Sequence, residues 1–187
     1  MQDHLMGERG SVRAYWEEDI DALYAAVSES IPEVSRYETW CHPGFTREEA
    51  AEYVNGWRKA WEERSAFYFA VIEEETGELV GSCGLSGICA EHRRAGLGYW
   101  IRSSRTGNGF ATDAARTVMR FGFEDLDLAR IEIEVSVDNT ASLRVAEKLG
   151  CVREGVLQQR LILPSGPTDT VMFAMLQGRA AAVGRPE

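Results

Sequence analysis

At 187 residues and a formal charge of −10, the chain has the length to bury most of its apolar surface in one domain and lacks the Lys and Arg excess with which nucleic-acid-binding surfaces meet phosphates. Its four cysteines, Cys41, Cys83, Cys89 and Cys151, have neither metal-knuckle nor redox spacing, so reduced core thiols are expected and no metal site. The start of the chain carries no basic segment followed by an apolar one, and no apolar run approaches the ~18 residues that span a bilayer, so a cytoplasmic protein without membrane contacts is expected.

Met1 to Gly10 is polar and expected to be loose, with the folded domain over 11–178 and a frayed tail over 179–187. Ser11–Tyr15 fits a short first strand. Glu17, Glu18 and Asp19 put negative charge where a helix begins, and Ile20, Leu23, Tyr24, Val27 and Ile31 recur at helical steps until Pro32, which should end it. From Glu33 to Phe45 no period holds. Tyr37, Trp40, His42, Pro43 and Phe45 make an aromatic loop there, as compatible with plain packing as with function. Thr46-Arg47-Glu48-Glu49 is a capping box, opening a helix with Ala50, Tyr53 or Val54, Trp57 and Trp61 on one side. The period then changes to two: Phe67–Ile72 and Leu79–Leu85 form a hairpin about Thr76-Gly77, and Gly98–Ile101 is a further strand.

That strand feeds Arg105-Thr106-Gly107-Asn108-Gly109-Phe110-Ala111-Thr112, two alternate glycines standing before a helical pattern of Ala111, Ala114, Ala115, Val118, Met119, Gly122 and Phe123. Glycine permits positive φ and close approach. The first turn of a helix has unpartnered N–H groups and the positive end of the macrodipole, so the stretch suits a phosphate. A turn without a ligand is the plain alternative. A dinucleotide-binding turn needs a third glycine, where Thr112 stands, and a P-loop needs Gly-Lys-Ser/Thr, with no lysine here.

Arg130–Val137 alternates: Ile131, Ile133, Val135 and Val137 face one way, Glu132, Glu134 and Ser136 the other. Glutamates on an interior strand are not ordinary surface if both sheet faces are covered. Asn139 or Thr140 caps the next helix, Leu143, Ala146 and Leu149 form its buried stripe, and Gly150 takes the left-handed stop. Val152–Leu163 and Thr168–Leu176 close the chain as two strands around Pro164-Ser165-Gly166-Pro167.

From about Leu79 to Leu176 the chain resembles the RimJ/RimL-type branch of the GNAT acyl-CoA N-acetyltransferases. One block is Gly98-Tyr99-Trp100-Ile101 followed by Gly107, Gly109 and Ala111, similar to the family's Q/R-x-x-G-x-G/A pyrophosphate loop, with Thr106 where Gln or Arg is usual and Arg105 one place early. The other is Asn139-x-x-Ser142, then Glu147-Lys148-Leu149-Gly150, then Arg153-Glu154-Gly155, in the family's order. The resemblance implies an α/β (α+β) fold, a mixed, strongly twisted six- to seven-stranded sheet with helices on both faces. Its fourth and fifth strands, near Gly98–Ile101 and Arg130–Val137, would part into a V-shaped slot for the pantetheine arm of acetyl-CoA. It also implies that Ile101 and Ser103 offer backbone groups to that arm, as an edge strand does. The turn Thr106, Gly107, Asn108, Gly109, Phe110, Ala111 and Thr112 would surround the pyrophosphate, and Asn139 would bond the arm.

The implied reaction is direct attack of a primary amine on the thioester in a ternary complex, which needs a neutral amine, donors for the oxyanion and a proton for the thiolate. The resemblance puts the oxyanion at a backbone N–H near Ile101 and the leaving-group hydroxyl at Ser142, a residue equally well explained as bonding the helix's first turn. Glu132 and Glu134 are the nearest candidates for the base, since Ala95-Gly96-Leu97 lacks the acidic residue many relatives carry before Gly-Tyr-Trp. An α-amine with pKa near ~7.8 costs roughly 1 kcal/mol to deprotonate at pH 7, a lysine near ~10.4 roughly 4–5, so such a site suits a weakly basic amine. Arg144 and Lys148 either meet phosphate or form a solvated face. The acceptor, a protein N-terminus or a small molecule, has no motif. A silent acyl-CoA-binding module and a transferase of longer acyl groups are the rival readings, and the terminal hairpin makes a homodimer a further expectation.

Overall fold

The structure, a computed structural model, describes residues 3–179; the expected tail beyond Arg179 lies outside them. The strands are β1 (His4–Met6), β2 (Gly10–Ala14), β3 (Phe67–Glu73), β4 (Glu78–Cys89), β5 (Arg94–Ile101), β6 (Arg130–Ser136), β7 (Val152–Leu163) and β8 (Gly166–Leu176). They form one sheet in the order β1-β2-β3-β4-β5-β6-β8-β7, antiparallel throughout except for β5 beside β6. The helices are α1 (Asp19–Val34), α2 (Arg47–Glu62), α3 (Phe110–Glu124) and α4 (Thr140–Lys148). No described helix is long and apolar enough to cross a membrane.

Strand periodicity sorts the side chains into two cores. On β3, Phe67, Phe69 and Val71 join the core under α3, whereas Tyr68, Ala70 and Ile72 pack with α1 and α2 on the opposite face. Helices therefore cover both faces of a mixed sheet, as expected. The sheet has eight strands because β1 lies in the stretch expected to be loose. Leu5 buries there to 8 % exposure while its neighbours pair with β2, so apolar burial and ladder bonds override a polar composition. Pro32 likewise does not stop its helix. It sits in the last turn of α1, where the Ser35 N–H still reaches the Ile31 carbonyl at 3.1 Å, so little helix remains downstream for it to disrupt.

What positions the site is the seam between β5 and β6. Their pairing is confined to Arg94 with Arg130, Ala95 with Ile131 and Gly96 with Glu132. Beyond Gly96, β5 stays paired with β4 as far as Ile101, and β6 stays paired with β8 as far as Ser136. Each strand is thus held on its outer side while the inner edges separate, leaving unpaired main-chain groups facing a gap. Between the two strands the chain passes through a 3-10 turn at Ser103–Arg105 and then α3, whose mouth opens at the top of that gap.

Candidate active site

The helix mouths differ in how their first N–H groups are satisfied. The α2 mouth closes on itself: the Glu49 N–H donates to Thr46 Oγ1 at 3.2 Å and the Thr46 N–H to Glu49 Oε2 at 2.8 Å. At α4, the Ser142 N–H donates to Asn139 Oδ1 at 3.1 Å. α3 has no side-chain cap at all; its N-cap is Gly109, left-handed at φ 87°, two residues after Gly107 at φ 81°. A Cβ on Gly107 would meet nothing within 4 Å, so its positive φ rather than lack of space is what calls for glycine. α1 likewise has no side-chain cap, but among the described helices only the α3 mouth combines that lack with two left-handed glycines and an adjoining cavity, which suits it to an outside acceptor.

A cavity of about 680 Å³ joins that mouth to the gap in the sheet. Its walls are Gly98–Ile101 of β5, Ile133–Ser136 of β6, the turn residues Arg105–Gly107 and Gly109–Thr112, Asn139, and Ala141, Ser142, Arg144, Val145 and Lys148 of α4. Glu33–Thr39 and the β7 end Leu161–Leu163 close the other side. Of the residues singled out in the sequence, Ile101, Thr106, Gly107, Gly109, Phe110, Ala111, Thr112, Glu134, Asn139 and Ser142 line it. Ser103, Asn108 and Glu132 do not. The Ser103 N–H donates to Ser30 Oγ at 3.0 Å and its hydroxyl to Glu33 Oε2 at 2.6 Å, tying the turn to α1. Asn108 Nδ2 braces the glycine turn by donating to the Arg105 carbonyl at 3.2 Å.

The two glutamates of β6 part company. Glu132 lies at the paired end of the seam and accepts from Arg130 Nε at 2.7 Å and Arg94 Nη1 at 3.3 Å. Glu134 is beyond the divergence, faces the cavity, and accepts from Arg160 Nη2 at 2.8 Å. Ser142 faces Tyr99 across the gap, with the two hydroxyl oxygens 2.8 Å apart. Burial holds the Tyr99 phenol far above the ordinary tyrosine pKa, a rise the Ser142 bond only tempers. At neutral pH the pair is uncharged and carries protons to share. Tyr99 belongs to the Gly98-Tyr99-Trp100-Ile101 block, yet strand alternation alone does not tell which face it takes.

Arg9, a positive group beside the turn, also escaped the sequence reading. Asp113, 5 % exposed in the first turn of α3, accepts the N–H groups of Glu8 and Arg9 at 2.9 Å each. That pins the β1–β2 hairpin to the helix and lays Arg9 against Gly109, where an added Cβ would come within 2.8 Å of its Nε. Below the turn, Arg105 bonds Glu78 at 2.8 Å and Glu73 at 3.3 Å, and Arg102 joins Glu29 to Glu78. The Arg102 guanidinium holds the Glu29 carboxyl down to about 2.

Residues 9–152 match the model of the acetyltransferase (GNAT) domain. The chain belongs to that family. This GNAT chain is 31 % identical to the Bacillus subtilis N-acetyltransferase YoaA, itself uncharacterized, over 94 % of this chain and 97 % of the relative. The ribosomal-protein-serine acetyltransferase of Escherichia coli is 24 % identical over 91 % of this chain and 94 % of its own. Mycobacterium smegmatis RimJ, solved in complex with CoA-disulfide, superposes with a TM-score of 0.81 at 25 % identity, over 97 % of this chain and 93 % of that one. The protein is therefore a GNAT N-acetyltransferase of the RimJ/RimL-like branch, an enzyme whose acyl donor is acetyl-CoA.

Proposed function

We propose that the protein transfers the acetyl group of acetyl-CoA to a primary amine of low basicity, a peptide α-amine or a small-molecule amine, by direct attack within a ternary complex. The observation that carries this is the conjunction, in one cavity, of an open strand seam, a helix mouth without a side-chain cap, and the Tyr99–Ser142 hydroxyl pair. The diphosphate of acetyl-CoA is assigned to the N–H groups from Gly107 to Thr112 and to Arg9, and the pantetheine arm to the free edges of β5 and β6 beside Asn139. The carbonyl oxygen is assigned to a main-chain N–H near Ile101, where a pre-aimed donor stabilises charge as it develops.

Ser142 is assigned to the departing sulfur. Both hydroxyls are weaker acids than a thiol, whose ordinary pKa is ~8.5, so they steady the thiolate by hydrogen bonding and pass on a proton that comes from the acylated nitrogen. Glu132 is not assigned a proton-transfer role, because two arginines hold it at the closed end of the seam. Glu134 faces the cavity but its carboxylate is already engaged by Arg160.

The test is a screen of primary amines and N-terminal peptides, with free thiol followed as acetyl-CoA is consumed. Amine-dependent release supports the proposal. Acetyl-CoA binding without release on any amine overturns it in favour of a silent binding module, and faster release with longer acyl donors overturns the choice of acetyl group.

A further inference from the structure

Beside the large cavity lies a smaller one of about 120 Å³, walled by Trp40, Tyr53, Trp57, Tyr68 and Trp100, with Glu38 as the carboxylate among its lining residues. Glu38, Gly98, Tyr99 and Trp100 line both cavities, so the two adjoin there. The rings surround the space in succession. Trp57 stacks on Tyr68 at 3.9 Å, Tyr53 meets Trp57 edge-on at 5.8 Å, and Trp40 tilts against Tyr53 at 5.1 Å and Trp100 at 5.7 Å.

Core aromatics ordinarily fill the room between them and find partners for their polar tips. Here a space remains, and the buried indole N–H of Trp100, a residue 7 % exposed, has no partner. Gly98 keeps the boundary between the cavities bare, since a Cβ on it would come within 2.8 Å of the Tyr68 hydroxyl.

Glu38 is held for this place by two hydrogen bonds to neutral groups. Its backbone N–H reaches the Val34 carbonyl at 2.9 Å, and Trp40 Nε1 donates to its Oε2 at 3.0 Å. Among the described ion pairs none involves Glu38, whereas Glu134 and Glu132 are both spoken for by arginines. A carboxylate without a cation, set among electron-rich ring faces, is the chemistry that selects an organic ammonium.

We propose that the acceptor docks with its ammonium at Glu38 and a planar or apolar substituent in the aromatic box, and that Glu38 takes the proton that frees the amine for attack. This rests on the acetyl-transfer reading above. The ammonium gives one proton to the Glu38 carboxylate. The amine lone pair then forms the C–N bond at the thioester carbonyl, the C–S bond breaks with its electrons on sulfur, and the second proton on nitrogen passes by way of Ser142 to the thiolate. The products are the amide and the free thiol, and Glu38 returns its proton to water.

The surroundings make this carboxylate a stronger base than an exposed one. Burial lifts the Glu38 carboxyl above its ordinary range, with the Trp40 bond pulling the other way. The titratable neighbours Cys41, Tyr53 and Tyr68 stay neutral because burial raises them as well, Cys41 to about 11. The charged side chains sharing the large cavity are Glu33, Glu134, Arg105, Arg144 and Lys148.

Phenylalanine amide and glycine amide, both weakly basic α-amines, are the probes, with binding read from indole fluorescence and turnover from thiol release, in the full chain and in Glu38→Gln. The expected result is saturable phenylalanine amide binding about tenfold tighter than glycine amide, weakened about tenfold in the variant. With it, kcat/KM falls roughly 10²-fold and the acidic limb of its pH profile disappears, while acetyl-CoA affinity is unchanged. Glu38→Asp should recover part of the rate. Equal binding and rate in Glu38→Gln, or no saturable phenylalanine amide binding, overturns the proposal while leaving acetyl transfer standing. Binding that depends on Glu38 without thiol release upholds the pocket and overturns acetyl transfer instead.

Discussion

Glu132 and Glu134 stand on one face of β6, a single residue apart, and live in different environments. At Glu132 the seam with β5 is closed, and Arg94 and Arg130 complete the carboxylate's bonding. At Glu134 the neighbouring strand has gone and a cavity takes its place. The closed half gives stability and registers the two strands. The open half is where the reaction is assigned, because there main-chain groups of β5 and β6 part and side chains of two strands and a helix turn toward a common space. A residue's role in this sheet therefore depends on which side of the divergence it stands, more than on its chemical type.

Substitutions in the two halves should separate accordingly. The largest effect is expected at the helix mouth: Thr112→Asp adds a negative charge where the diphosphate is assigned. At ~4 Å and an effective dielectric of ~20 that repulsion is about 4 kcal/mol, close to 10³-fold in acetyl-CoA affinity by calorimetry. The same carboxylate favours a helix N-terminus, so the melting temperature should hold or rise, and a fall in both quantities would contradict the assignment. Next, Ser142→Ala should lower kcat roughly 10²-fold with acetyl-CoA affinity kept. Tyr99→Phe should have a smaller effect in the same direction, and full activity in both would remove the hydroxyl pair from the chemistry.

Glu132→Gln probes the closed half. It should leave turnover within about twofold and cost about 1 kcal/mol of stability through weakened charge-assisted bonds, read by urea unfolding. A large loss of rate at unchanged stability would restore Glu132 as a base. The smallest effect is on acid tolerance. The folded-state pKa of Glu29 is depressed from 4.5 to about 2 by Arg102, so its contribution is fully present above pH 4.5 and is lost as pH falls toward 2. Glu29→Gln should lower the melting temperature slightly at neutral pH, where that contribution is fully present, and flatten its decline across the acid window.

Much of this was legible from local pattern. The capping box at Thr46, the stop at Gly150, the alternation of β3 and β6, and the glycine pair before α3 each depend on neighbours a few residues away. Local composition misled where distant partners decide. The polar segment from His4 to Met6 becomes a strand because β2 lies beside it, and Ser103 and Asn108 turn their groups to α1 and to their own turn. Glu38 offered no signal, since the segment around it has no period and its surroundings come from α2, β3 and β5.

The sequence by itself determined where most helices and strands run and that one helix would open on bare glycine, because backbone dihedral preference and hydrophobic period are properties of adjacent residues. Only the tertiary structure decided which glutamate met an arginine and which a cavity, and that Tyr99 should meet Ser142. Those outcomes follow from where β5 and β6 cease to pair, and that is set by how β4 and β8 hold each strand from outside.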